Sequence, residues 1–323
     1  MEVIASAPGK AILFGEHSVV YGKPAIAMAL NKRVQVKILE GSKNIINVHL
    51  RDLGIEGQID LKNNAIFSNS TKEGILKYVL YSIKKIHEKS GLDISIDVNL
   101  PIGGGLGSSA AITVALIAAL SKYNNIDLKK EDIAKLAHEV ELDVQNSASP
   151  LDTAISTYGG LIYLKKGGKE VVPLDVKLDI PIVVGYTNYR GNTGKLIEKV
   201  KYKKENYPEI MNPLIDSIES VTDEAKESIL KNNEKKIGEL MNINHGLLDA
   251  LGVNTLELSN MVYTARNAGA LGSKITGAGG GGSIIAYCPK RSKEVILALQ
   301  KLESAFKADI SKEGVKIYNK EGK

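Results

Sequence analysis

The chain has 323 residues, 43% apolar and 24% charged, the composition of a water-soluble globular protein long enough for two domains. Its single cysteine, Cys288, excludes an intrachain disulfide framework and a cysteine metal cluster. No basic-apolar leader opens the sequence and no apolar run reaches membrane-spanning length, so a cytoplasmic protein with no membrane partner is expected. The net charge of +5 is spread along the chain and suits a small anionic ligand as readily as a nucleic acid. With no Trp and three Phe, only the thirteen Tyr could stack on bases.

Residues 2–7 read as a strand stopped by Pro8 and Gly9. Between Lys10 and Leu30, apolar stretches flank an unusual Gly15-Glu16-His17 insert and a Tyr21–Pro24 turn. Lys10 in that apolar setting is either a desolvated functional ammonium or a strand-edge lysine reaching for water. Residues 33–39 and 45–50 alternate as strands, 52–70 are polar and turn-rich, and Thr71–Ser90 has helical periodicity, its His87 reading as a surface residue. Ile94–Leu100 alternates as a strand and leads into Pro101–Ala115, PIGGGLGSSAAITVA.

This stretch organises the rest. Gly103, Gly104, Gly105, Leu106 and Gly107 run into Ser108 and Ser109, which suit an N-cap, and then into an alanine-rich helix. A glycine loop feeding a helix N-terminus gathers unpaired N–H groups and the positive dipole end at one point, an anion site whose usual guest is phosphate. A second helix, Lys130–Gln145, carries Glu139, Glu141 and Asp143; the first and last read as a solvated face. Asp152 follows among small and apolar residues, where a carboxylate either caps a helix or is paired and at work.

Leu161–Leu164 and Ile180–Tyr186 read as strands, and the polar, glycine-containing stretch between them sets a boundary between domains 1–170 and 171–323. The second half is helix-rich: Met211–Leu230, Glu234–Leu251, Thr255–Ala268 and Ser292–Lys307, with a closing strand Val315–Asn319. Gly277, Gly279 and Gly282 satisfy the dinucleotide fingerprint formally, but a helix precedes them and a β-like run comes after, the wrong context. No GxxxxGK[ST] occurs.

PGKAILFGEHSVVYGKPA at 8–25, PIGGGLGSSAA at 101–111 and KITGAGGGGSIIAY at 274–287 resemble, in order and spacing, the three motifs of the GHMP kinase superfamily, named for galacto-, homoserine, mevalonate and phosphomevalonate kinases. The GEHSVVYG wording is similar to the mevalonate-phosphorylating branch; galactokinases carry Arg in place of Lys10 and an acidic-aromatic pair after the histidine. The resemblance implies a two-domain α+β fold, with an N-terminal ribosomal-S5-like domain containing a left-handed crossover and a C-terminal ferredoxin-like domain. It implies ATP and Mg²⁺ as cofactors and mevalonate as substrate, phosphorylated on its 5-hydroxyl for isoprenoid synthesis.

By the same resemblance, Gly103 to Ser109 would wrap the ATP phosphates, and Ser109 with Glu141 would hold Mg²⁺. Asp152 would be the base for the substrate hydroxyl, with Lys10 close by to lower the proton donor's pKa and counter charge on the moving phosphoryl group. Glu16, His17, Arg190, Thr193, Gly277 and Ala278 would face the substrate. His138 and His245 keep no catalytic reading. The alternatives are another kinase of the superfamily, acting on phosphomevalonate, homoserine or a sugar, and, from a different class, a silent ligand sensor or RNA-binding protein. A phosphorylated substrate should need added cations, and GEHSVVYG brings only the following Lys23. The RNA-binding alternative predicts eroded catalytic positions, yet Lys10, Ser109, Glu141 and Asp152 are all present, so no nucleic-acid partner is expected. A monomer and a homodimer both stay open.

Overall fold

A computed structural model describes residues 1–42, 45–70, 74–87, 91–102, 104–145, 149–166, 170–176, 180–187 and 193–318. Among them the strands form two sheets. The larger sheet is built on two long strands, β1 (Glu2–Phe14) and β2 (Ala25–Glu40), paired antiparallel along most of their length. Next in sequence are β3 (Ile46–Leu50), β4 (Ile55–Asp60), β5 (Ala65–Ser68) and, after helix α1 (Gly74–Ile86), β6 (Leu92–Val98), which pairs with β2 so that the order outward is β2-β6-β3-β4-β5. The polar, turn-rich stretch 52–70 holds two short strands between its turns. Its short alternating segment Ile55-Glu56-Gly57-Gln58-Ile59 buries every second residue against α1, a pattern five residues long that turn residues on both sides obscure.

Helices α2 (Ser108–Tyr123) and α3 (Lys130–Gln145) follow, then α4 (Pro150–Tyr158), β7 (Leu161–Lys165) on the near end of β2, and β8 (Glu170–Leu174). Helix α2 is the spine of the first half: every residue from Ala110 to Ser121 is buried. A helix apolar all round belongs inside, and its alanines let β1, α1 and α3 approach closely.

The second sheet has the order β10-β11-β9-β12, from β9 (Ile182–Tyr186), β10 (Gly272–Thr276), β11 (Ser283–Tyr287) and β12 (Ser304–Ala308), all antiparallel. Helices α5 (Thr193–Asn206), α6 (Pro208–Leu230), α7 (Glu234–Leu251), α8 (Leu256–Asn267) and α9 (Ser292–Leu299) complete this half, α8 and α9 covering the small sheet over a second apolar core. The helix expected over Ser292–Lys307 stops at Leu299; residues 304–308 pair with β9, where half-buried Phe306 packs on Tyr186. The element directly before the glycine-rich stretch is a strand, β10, and not the expected helix. The dinucleotide fold is still excluded, because the glycines lead into a second strand, β11, where that fold requires a helix.

The last strand, β13 (Lys316–Tyr318), returns to pair with β1 at the edge of the first sheet. Arg33 fastens this return by donating to the carbonyls of Ser6, Glu313 and Gly314 and the hydroxyls of Ser6 and Ser311. His87 is buried, its Nδ1 2.9 Å from Asn124 Oδ1 after α2, because the helix it follows packs inward at that end. No helix among the described residues is long and apolar enough to cross a membrane.

Candidate active site

Strand β1 does not stop at Pro8 and Gly9; its register against β2 slips between Pro8 and Lys10. Proline cannot donate a ladder hydrogen bond, and a bulge is where a sheet tolerates it. The slip turns the Lys10 N–H out of the ladder to donate to the Leu106 carbonyl at 2.9 Å, anchoring the Gly-rich loop to β1. The Lys10 side chain, 4% exposed, passes along Gly107 and ends with Nζ 3.1 Å from Asp152 Oδ1.

Asp152 stands in the first turn of α4, where the helix dipole favours a carboxylate. The capping role belongs to Ser149, whose Oγ accepts from Leu151 N–H at 3.3 Å, with Pro150 preset for the first helical position. Of the two readings open for Asp152, the structure supports the paired carboxylate.

From α2, Ser109 Oγ donates to Glu141 Oε1 of α3 at 3.1 Å. Glu141 is almost wholly buried, and burial first, then the nearby Asp152 charge, push its carboxyl up to about 8; Ser109 and Lys10 oppose this only partly. Tyr78 of α1 reaches the same place: its phenol accepts from Gln145 Nε2 at 2.5 Å and is raised by burial and by the Glu141 charge. Glu139 and Asp143, on the outer side of the same helix, both pair with Lys85, at 3.1 and 3.2 Å, as a solvated face should.

Gly107, not a serine, is the N-cap of α2; its φ of 70° is left-handed, and no side chain caps the helix. Ser108 and Ser109 sit one and two places inside, so the first-turn N–H groups are left for a ligand. The second glycine loop closes on the first: a Cβ on Gly277 would lie 3.4 Å from Gly105 Cα, so main chain meets main chain. Thr276 Oγ1 accepts from Ile12 N–H and donates to Ile12 O, both at 3.0 Å, riveting β10 to β1. Thr187, at the end of β9, accepts from Gly282 N–H at 3.1 Å.

His17 is buried with φ 61°, and its Nε2 donates to the Ala278 carbonyl at 2.9 Å, which joins the first and third motifs. Burial holds its imidazole below the ordinary histidine range. Glu16 turns the other way. Its carboxylate, 1% exposed, pairs with Lys274 Nζ and accepts from Asn244 Nδ2 at 3.2 Å. Burial pulls Glu16 and Lys274 toward their neutral forms, and their mutual attraction opposes it.

Lys10, Leu106, Gly107, Ser109, Glu141 and Asp152 are thus brought together in one place, and Gly105 of the same loop meets Gly277, whose neighbour Ala278 accepts from His17. Gly103 and Arg190 lie outside the described residues; Thr193 opens α5. Tyr78, Asn244, Lys274 and Thr276 belong to this assembly and escaped the sequence reading. Lys274 and Thr276 could have been noticed as polar residues inside an apolar alternation; Tyr78 and Asn244 sit on ordinary amphipathic helices and carry no local signal.

Two family models match the chain, the GHMP kinases N terminal domain at residues 74–160 and the GHMP kinases C terminal at 225–306. A mevalonate kinase of Methanothermobacter thermautotrophicus is 48% identical over 98% of this chain and 100% of its own length. The crystal structure of the Methanococcus jannaschii mevalonate kinase superposes with a TM-score of 0.83 at 31% identity, covering 96% of this chain and 99% of that one. That of L. major mevalonate kinase in complex with R-mevalonate gives 0.82 at 25% identity, covering 95% of each. The chain belongs to the GHMP kinases and, within them, to the mevalonate kinase family.

Proposed function

We propose that the chain transfers the terminal phosphoryl group of ATP to the 5-hydroxyl of mevalonate. The observation that carries this reading is the Lys10–Asp152 pair, 3.1 Å apart and set beside the N-terminus of α2. The substrate oxygen attacks the γ-phosphorus, the bond to the β-phosphate oxygen breaks, ADP leaves, and the hydroxyl proton passes to Asp152. An alcohol is a poor acid at neutral pH, so in a loose transition state the gain comes from alignment, and Asp152 accepts the proton late. Lys10 holds Asp152 in place and offsets charge on the transferred group.

The Ser109–Glu141 pair fits Mg²⁺: a hydroxyl and a carboxyl oxygen 3.1 Å apart are hard donors, and a cation bound there would take the place of the proton that burial and the Asp152 charge keep on Glu141. When bound there, Mg²⁺ would neutralise the β- and γ-phosphates. Gly104 to Ser109 would cradle those phosphates. His17, Gly277 and Ala278 are proposed to face mevalonate, and Arg190 and Thr193 are assigned to the same substrate by the resemblance alone. Glu16, both of whose oxygens are engaged, supports His17 from behind in this reading.

A phosphorylated acceptor is disfavoured because Lys23, the cation added by the first motif, is taken by Asp216 and Glu219 of α6 at 2.7 and 2.6 Å. The test is ADP release with Mg-ATP and mevalonate, with homoserine, galactose and phosphomevalonate as parallel acceptors. Mevalonate-dependent turnover that collapses in Asp152→Asn is expected. Turnover with another acceptor alone would discard the substrate, and silence with all four would discard the kinase reading.

A further inference from the structure

Three hydroxyls stand around the contact between the two glycine loops, and two are engaged: Thr276 with both main-chain groups of Ile12, and Thr187 with Gly282. The third, Ser283, opens β11 directly after the loop. It is 0% exposed, and its Oγ has no hydrogen-bond partner among the described residues. A buried hydroxyl left unpaired is costly, so its retention calls for a state in which it is paired.

Its surroundings indicate that state. A Cβ placed on Gly104 would lie 2.7 Å from Ser283 Oγ, so the hydroxyl presses on the bare Cα of the phosphate loop. The Gly104 carbonyl is close as well: a Cβ on Gly282, the residue before Ser283, would lie 3.4 Å from it. A small main-chain adjustment would bring a loop acceptor to the hydroxyl, and this stretch of loop is the one that phosphate oxygens would engage.

We infer that Ser283 is a positioning residue for nucleotide phosphates: its hydroxyl donates to the main chain at Gly104 and fixes the loop in the arrangement that receives them. This rests on the reading of Gly104–Ser109 as the phosphate loop. The contact also accounts for glycine at 104, since any side chain there would meet Ser283.

The test is calorimetric titration of the intact wild-type chain, Ser283→Ala and Ser283→Cys with Mg-ATP and with AMP, without mevalonate, alongside thermal melts. Ser283→Ala should bind Mg-ATP about fivefold more weakly, as loss of one neutral hydrogen bond implies, with AMP affinity unchanged. Ser283→Cys, a weaker donor of similar shape, should fall between. The free Ser283→Ala protein should melt no lower than wild type, while its ATP-induced rise in Tm should shrink. Equal ATP affinity in wild type and Ser283→Ala overturns the inference alone, as does an equal loss toward AMP or a lower melting temperature without nucleotide. A wild-type chain that binds no ATP overturns the nucleotide reading and this inference with it.

Discussion

The stem of Lys10 lies against Gly107: a Cβ on that glycine would be 2.7 Å from Lys10 Cγ, and the Gly107 φ of 70° is left-handed besides. One glycine therefore serves as the cap of α2 and as the channel through which the lysine reaches Asp152. Gly107→Ala should displace Lys10 and lower kcat by about 10²-fold, the cost of a misplacement near 1 Å. Steady-state kinetics check this.

Lys10 and Asp152 act as a unit at 3.1 Å, so their losses should not add. Lys10→Met and Asp152→Asn should each reduce kcat by roughly 10²- to 10⁴-fold. The double variant should be little slower than the worse single one. A double-mutant cycle on kcat measures the coupling.

Glu141 is held up to about 8 by burial and the Asp152 charge, so between the ordinary glutamate range and pH 8 the folded chain binds a proton that the unfolded chain has released. Stability from this group is full at low pH and is lost as pH rises toward 8. Glu141→Gln, neutral throughout, should escape that loss. In chelator, its Tm should exceed wild type by an amount that grows from pH 5 to pH 9, reaching about 5 °C, while kinase activity is abolished. Melts across that range decide it.

His245 of α7 behaves oppositely. Burial, then the charges of Arg266 and Lys274, hold its imidazole down to about 4, with Asp249 opposing weakly. Between pH 4 and 6.5 the unfolded chain binds the proton and the folded chain does not, so this contribution is present above that window and is lost as pH falls through it. His245→Asn should flatten the acid limb of the Tm-against-pH curve.

Arg33 donates to three main-chain carbonyls and two hydroxyls that hold the return of the chain against β1. Arg33→Ala would unpair all of them and should cost about 2 kcal/mol. Arg33→Lys, without the planar fork, should recover only part. Chemical denaturation measures both.

The site's chemistry was more legible in the sequence than its surroundings. Lys10 and Ser109 sit in the first two motifs, Glu141 and Asp152 take their roles from the resemblance, and the fold brings all four together. Adjacency of Glu16 to His17 suggests a shared direction, whereas consecutive residues around a left-handed backbone at His17 diverge and Glu16 pairs with Lys274 and Asn244. The short strands at 55–60 and 304–308 were hidden because each is only a few residues long, the first with its alternation framed by turn residues and the second fixed by its pairing with β9. The serines of the loop suggested a cap; a glycine takes it because the helix start must also clear Lys10.

Strand β13 has a consequence for synthesis. Ser6 Oγ lies 3.0 Å from the phenol of Tyr318, 312 residues later, so the strand that carries Lys10 is flanked by a segment made long after it. The first half can collapse around α2 while translation continues, but the edge beside β1 stays unpaired until the second half has emerged. A nascent chain stalled before residue 316 should expose that edge to chaperones and to protease. Completion of the sheet, and with it the settled position of Lys10, waits on the second half of the chain.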